Sequence, residues 1–271
     1  YMSLDGNIEN IKKITEDNHE ISNLIKNSEK PLIIFGQSAL KTKSAKYIFE
    51  SVKSFLKKNN KISNEWNSLN IISKNAANVG SFDLGLYKTE DGSNEVLKDL
   101  ENHKFEIVYL LGADNLKFEK KNEFIIYQGS HGDKGAEIAD IILPGAAYTE
   151  QNGYFTNLEG KLQKAYKASY PPEEAKEDWL IINELAEAMN HRKLFNDKDE
   201  LDSSLLNQIN LYIEKNNSIK SSDAENIEFN QEILKIDNED YYYSNVIARA
   251  SKTMFDCKTS KANFKSTGTE G

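Results

Sequence analysis

The run Phe124–Ile125–Ile126–Tyr127–Gln128–Gly129–Ser130–His131–Gly132–Asp133, with Ile138–Ala139–Asp140–Ile141–Ile142–Leu143–Pro144–Gly145 close behind it, decides the fold. Each half is a short apolar stretch rich in strand formers and closed by glycine, too brief for an ordinary helix. Apolar residues at consecutive rather than alternate positions mark strands covered on both faces, as parallel strands between helices are. Working outward, Phe105–Leu111 before Gly112 reads the same way. Pro31–Leu32–Ile33–Ile34–Phe35–Gly36 supplies an earlier strand that also ends in a glycine turn. The expected architecture is α/β, with a parallel, doubly wound sheet.

Helical spacing fills the intervals. From Ile8, the residues Ile11, Ile14, Ile21, Leu24 and Ile25 recur at threes, fours and a seven, which predicts one helix over 8–27. Ala45, Ile48, Phe49, Val52, Phe55 and Leu56 predict a second helix, and Trp66, Leu69, Ile72 and Ala76 a third, so the first strand is followed by two helices. Trp179, Ile182, Leu185, Ala186 and Met189 predict another, and Leu205, Ile209 and Ile213 a weaker one. These elements make a domain of residues 1–215. Beyond it the chain turns to Ser, Asn, Lys and acidic residues, too poor in apolar positions for a core. Residues 216–240 are expected to be a linker or surface wrap. Tyr241, Tyr242, Tyr243, Val246, Ile247, Met254 and Phe255 then bring apolar surface back, so 216–271 reads as a polar linker and docking tail.

Composition narrows the function. The 271 residues carry a net charge of -9, the wrong sign for affinity won by neutralising phosphates, so nucleic acid is not an expected partner. Arg192 and Arg249 are the only guanidiniums, which leaves little for bidentate anion clamps. A sole cysteine, Cys257, cannot make an internal disulfide or by itself hold a zinc or iron–sulfur site. The apolar runs fall far short of the roughly 20 residues that span a bilayer, so no membrane span is expected. Because the sequence opens on Tyr1 without a basic, apolar leader, any targeting segment is expected to have been removed.

In open α/β sheets ligands sit at the carboxyl ends of strands, here the turns after Leu111, Gln128 and Leu143. Gln128–Gly129–Ser130–His131–Gly132–Asp133–Lys134–Gly135 lacks both G-x-G-x-x-G and the phosphate-loop spacing, so its glycines are expected to serve positive φ and close chain approach. His131 beside Asp133 has the composition of an acid–base pair, though such pairs are usually structural. His19, His103 and His191 lie in polar stretches without metal-ligand spacing. Glu150, Glu159, Asp178 and Glu184 read as solvated charge, and the tyrosine cluster as an interface anchor or a fold onto the core. No catalytic, cofactor-binding or metal residue is assigned.

The stretch from Phe124 to Asp133 and on through Ala139–Asp140–Ile141–Ile142–Leu143–Pro144–Gly145–Ala146–Ala147–Tyr148–Thr149–Glu150 closely resembles the large (75 kDa) iron–sulfur subunit family of respiratory complex I. The likeness continues through Tyr154–Phe155–Thr156–Asn157–Leu158–Glu159–Gly160 and Pro171–Pro172 to Glu177–Asp178–Trp179. Leu110–Leu111–Gly112–Ala113–Asp114, Phe82–Asp83–Leu84–Gly85 and Phe35–Gly36–Gln37–Ser38–Ala39–Leu40 also fit, as does Ile247–Ala248–Arg249–Ala250–Ser251–Lys252–Thr253–Met254. The resemblance implies the molybdopterin-oxidoreductase fold, in a version understood to have lost the pterin. Lys161 stands where that fold's motif has arginine, a charge without a fork for phosphate.

The resemblance further implies a non-catalytic, structural part of the peripheral arm, with no cofactor in this chain. Its expected partners are the cluster-bearing amino-terminal part of the same subunit and the flavoprotein and quinone-side subunits. The cysteine-bearing region of the family is not in this sequence, so a subunit split into two polypeptides is expected. The mitochondrial-like terminus suggests the matrix side of the inner membrane, with the cytoplasmic side of a bacterial membrane as the alternative. A fragment of a true molybdopterin-dependent oxidoreductase is the competing expectation.

Overall fold

The computed structural model describes residues 2–63, 65–86, 92–116, 118–216, 227–234 and 240–263. It divides into two compact units, one of Tyr1–Asp83, Thr156–Leu162 and Asn210–Asn238, the other of Leu84–Phe155, Gln163–Ile209 and Glu239–Gly271.

The first unit begins with α1 (Ile8–Thr15) and α2 (Glu20–Asn27) where the spacing predicts one helix. The break is chemical. Asp17 adopts φ 65°, its neighbour Asn18 donates back to the Lys13 carbonyl at 2.8 Å, and the His19 ring caps α2 by accepting from the Ile21 amide. A left-handed residue followed by a side-chain cap ends one helix and starts the next, and the seven-residue gap from Ile14 to Ile21 is where it falls. Strand β1 (Ile33–Gly36) leads to α3 (Ala45–Lys58), whose Ile48, Val52, Phe55 and Leu56 are buried. With Ile8 and Phe35 most of these form the core, each such side chain contributing about 1.5–3 kcal/mol by leaving water.

The helix predicted through Trp66–Ala76 is instead a strand, β2 (Leu69–Ile72), paired in parallel with β1 from Ile33↔Leu69 to Gly36↔Ile72. The Trp66 indole donates to the Pro31 carbonyl at 3.0 Å, and Ile33 N–H donates to the carbonyl of fully buried Ser68 at 2.7 Å. These bonds hold the entry extended, and the unit is βαβ. A short α4 (Asn78–Asp83) follows.

Residues 227–234 pack on this unit as the wrap half of the linker expectation. Leu234 N–H donates to the Gly6 carbonyl at 2.8 Å, and buried Ser44 exchanges hydrogen bonds with the Asn230 backbone at 2.9 and 2.8 Å. The Phe229 ring meets Tyr47 edge-on at 5.0 Å. The rest of that linker, 217–226 and 235–239, lies outside the described residues, as does the end of the tail from 264.

The second unit holds α5 (Gly92–Glu101) and a three-stranded parallel sheet of β3 (Ile107–Leu111), β4 (Phe124–Gly129) and β5 (Ile141–Pro144), in that order. Ile138 and Ala139, expected in the last strand, instead follow the short α6 (Lys134–Glu137). Leu110, Ile125 and Tyr127 form the core. The expectation of strands covered on both faces holds for the middle strand only. Ile107 and Ile142 are exposed because they lie on the outer strands, while Ile125 is fully buried. The strands β6 (Gly153–Thr156) and β7 (Leu162–Ala165) pair with each other, and α7 (Asp178–Ala188) belongs to the second unit. Helix α8 (Lys198–Asn216) crosses the boundary in sequence. The predicted docking tail forms a 3-10 turn at Tyr241–Tyr243, then α9 (Val246–Ala250) and α10 (Lys252–Asn263). It docks on its own unit, where the Arg249 guanidinium meets the Asp133 carboxylate at 2.5 Å.

Candidate functional site: a cleft at the strand ends

At the carboxyl ends of β3, β4 and β5 two adjoining cavities share Ser130. The smaller, about 220 Å³, is lined by Leu111, Gly112, Asp114, Gln128, Gly129, Ser130, Ala146 and Asp178. The larger, about 610 Å³, is bounded by Ser130, His131, Pro144, Gly145, Glu150 and the Pro172–Ala175 turn. This is where an open parallel sheet puts its ligands, because the strands end together there and the connecting loops diverge.

Asp178, the first residue of α7, ties the floor together. The Gln128 side-chain amide, fully buried, donates to Asp178 Oδ1 at 2.8 Å, and the Gln151 amide donates to Oδ2 at 2.9 Å. Gln151 Oε1 in turn accepts from the Asp178 amide at 3.2 Å, while Gln128 Oε1 accepts from the Tyr109 hydroxyl. Burial, and secondarily the Asp178 charge, raises the Tyr109 pKa, so the phenol stays a donor. A Cβ on Gly145 would sit 2.8 Å from Asp178 Oδ1, so a side chain there would displace that carboxylate from its place.

On the β3 side the Tyr127 hydroxyl donates to Asp114 Oδ1 at 2.5 Å and contacts the His131 carbonyl at 2.9 Å. Burial pushes its pKa well up, and the Asp114 hydrogen bond and charge add to the shift. Gly135 packs against this ring, since a Cβ there would meet the Ala113 carbonyl at 2.8 Å and Tyr127 Cδ2 at 2.9 Å. Gly112 adopts φ 61°. Of the glycines in the Gln128–Gly135 stretch, Gly129 and Gly135 serve close approach, Gly132 meets nothing within 4 Å and none has positive φ; the left-handed glycine of this edge, Gly112, lies outside that stretch.

His131 and Asp133 do not form a pair. The His131 ring meets Ser130 Oγ at 3.0 Å, and Asp133 is taken by Arg249. Of the carboxylates scanned in the sequence, Glu150 and Asp178 line the cleft, whereas Glu184 bonds Lys176 and Glu159 closes the turn at Asn157. Glu150 spends one oxygen on the Ala147 amide at 2.9 Å. His19 caps a helix, and His191 is exposed beyond α7. His103 bonds Glu123 at 2.6 Å, a contact twenty residues apart that has no periodic signal. Lys161 is exposed in the turn between β6 and β7, its amide bonded to Asn157 Oδ1 at 2.9 Å. Cys257 is exposed on α10. The Gln128–Asp178 bond also escaped the sequence reading, although a glutamine inside an apolar strand is itself a sign of a buried polar partner.

In chemical terms the cleft is an acceptor surface. Asp114, Asp178, Glu150, Glu173 and Glu174 line it, and among the described residues no lysine or arginine does.

A protein-family model described as molybdopterin oxidoreductase matches residues 1–188. The chain is 35% identical over 266 residues to the NADH-ubiquinone oxidoreductase 75 kDa subunit of Reclinomonas americana, covering 95% of this chain and 38% of that protein. It is 35% identical over 271 residues to an NADH-quinone oxidoreductase subunit of Rickettsia bellii, with 98% and 38% covered. It is 36% identical over 247 residues to the mitochondrial NADH-ubiquinone oxidoreductase 78 kDa subunit of Candida albicans, with 85% and 33% covered. The chain thus spans little more than a third of the length of these relatives.

Proposed function

This chain belongs to the molybdopterin oxidoreductase family, and from that membership we propose that it is a structural, non-catalytic part of the peripheral arm of a respiratory NADH:ubiquinone oxidoreductase. The likeness to the 75 and 78 kDa subunits supports this over nearly all of its length. In this reading the chain holds the cluster-bearing part of the same subunit and the flavoprotein and quinone-side subunits at fixed spacing. Its place is peripheral, on the matrix side of the inner membrane; among the described residues no helix is long and apolar enough to cross a bilayer.

The observation that carries the non-catalytic reading is the charge of the cleft. A pterin cofactor of this family bears phosphate, and phosphate is held by guanidiniums, ammoniums or free helix amides. Here five acidic residues line that space with no lysine or arginine beside them among the described residues, and the first residue of α7 is an aspartate whose oxygens are already taken by Gln128 and Gln151. The residues do not fit the group.

Two measurements test the proposal. The chain should migrate with NADH:ubiquinone reductase activity on a native gradient, and the purified assembly should contain no stoichiometric molybdenum or tungsten. Migration apart from that activity overturns the assembly role. Stoichiometric metal that follows this chain overturns the non-catalytic role and makes it part of a true molybdopterin enzyme. Peptide mapping of the same material distinguishes a split subunit, for which the clusters lie on another polypeptide, from one continuous chain.

A further inference from the structure

We propose that the outer face of α7 is a docking groove for an acidic amphipathic helix of a neighbouring protein, an inference that rests on the assembly role above. Helix α7 is apolar on two sides. Ile181 is buried on one side and the buried Asn183 stands nearly opposite it around the helix, while Ile182, Leu185, Ala186 and Met189 line a separate groove of about 350 Å³. Their spacing of i, i+3, i+4 and i+7 is one continuous stripe about 10 Å long. Met189 is 61% exposed and Leu194, on the opposite bank, 49%. A helix with apolar residues on both faces is expected to be covered on both.

The far bank is built rather than loose. The Asn183 side chain donates to the Phe195 carbonyl at 2.6 Å and accepts from the Leu194 and Phe195 amides at 3.0 and 3.2 Å. This folds the segment after α7 back along the helix and sets Leu194, His191 and Arg192 beside the stripe. Arg192 is one of two arginines in a chain of net charge -9, and the other is bound to Asp133. Arg192 and Lys193 make no side-chain hydrogen bond or ion pair among the described residues. The α7 carboxyl terminus favours cations near it, but that weak effect does not explain an uncovered apolar stripe beside them.

A stripe at helical spacing receives the ridge of another helix, and among the described residues none lining it is acidic. Cations at one end select an occupant with carboxylates at the matching end. On a helix, two carboxylates four residues apart share a face, so that one can meet Arg192 in the groove lining and the other approach Lys193, its neighbour in sequence just outside that lining. An acidic amphipathic helix satisfies both halves of the groove.

The test is carbodiimide cross-linking of the intact assembly, which joins Lys193 directly to a carboxylate in contact with it. The internal Lys176–Glu184 pair, 2.7 Å apart, serves as the control for reagent access. The expected result is a Lys193 link to an Asp or Glu of another subunit, within a segment whose apolar residues recur at threes and fours. The variant Leu185→Asp, with Lys193 intact, should reduce that link by about tenfold, and Arg192→Glu by a similar factor. Both positions are accessible enough to change without breaking the core, and retention of the control link verifies the fold. If the chain is in the active assembly but Lys193 forms no such link while the control does, the groove proposal fails and the assembly role stands. A link only to a second copy of this chain, or protection of Lys193 only by vesicles containing anionic phospholipid, overturns it equally. Absence of the chain from the assembly is the separate failure of the earlier reading.

Discussion

Tyr127 shows how one side chain organises the strand end. It is 1% exposed, its ring lies against Gly135, and its hydroxyl donates to Asp114 and lies 2.9 Å from the His131 carbonyl. Tyr127→Phe keeps the ring and removes the donor, so Asp114 loses its partner; unfolding in urea should show a loss of about 1–3 kcal/mol. Glu123 makes a pH-dependent contribution. The Lys121 amide and its own backbone amide, with smaller help from His103, hold its pKa near about 2 against an ordinary value of 4.5. A depressed carboxylate stabilises the fold above the unfolded value, and that contribution is lost as pH falls from about 4.5 towards about 2. Glu123→Gln should flatten the dependence of the denaturation midpoint on pH across that window, with little change in its slope above about pH 6. Neither residue stands out in the sequence, because Tyr127 reads as one more apolar position and Glu123 as one more surface charge.

Among the elements, glycines separate two physical effects that share one residue type. Gly135→Ala drives a Cβ against the Ala113 carbonyl, backbone that has no rotamer to change, and should cost about 1–3 kcal/mol. Gly112→Ala meets nothing within 4 Å but must hold φ 61°, so only conformational strain of about 1–2 kcal/mol is expected. Suppressor mutations that shorten neighbouring side chains should rescue neither variant, and thermal unfolding of each against the parent gives the values. The elements were unevenly legible. Strands β3, β4 and β5 were found because a short apolar run before glycine has few other readings. Strand β2 was missed because Trp66, Leu69, Ile72 and Ala76 match helical spacing by chance, and the bonds that decide otherwise reach back to Pro31 and Ile33. The α1–α2 break was missed because apolar spacing resumes in phase on the far side of Asp17.

For the molecule as a whole, the Arg249 guanidinium ties the tail to its unit through Asp133. Asp133 and Arg249 are 14% and 22% exposed at the side chain, and Arg249 also donates to the Tyr243 carbonyl at 3.3 Å. Lys258 adds an ammonium 4.2 Å from the Tyr243 ring centre. Arg249→Ala leaves Asp133 without its counter-ion and should weaken tail docking by about 2 kcal/mol. Tryptic cleavage at Lys252 and Lys258 is then expected several-fold sooner than in the parent, read by mass spectrometry over a digestion time course; an unchanged digestion pattern would remove the tail's dependence on that contact.

The parallel strands, their glycine turns, the buried face of α3 and a thiol count too low for a cluster were all present in the residues alone, since each depends on neighbours within a few positions or on simple number. The acidity of the cleft was not. Asp114, Glu150 and Asp178 are scattered along the chain and become neighbours only because β3, β4 and β5 stop at a common edge. The second apolar side of α7 is of the same kind, because periodicity tells that a stripe exists, while only packing tells which stripe the fold has covered and which it leaves open.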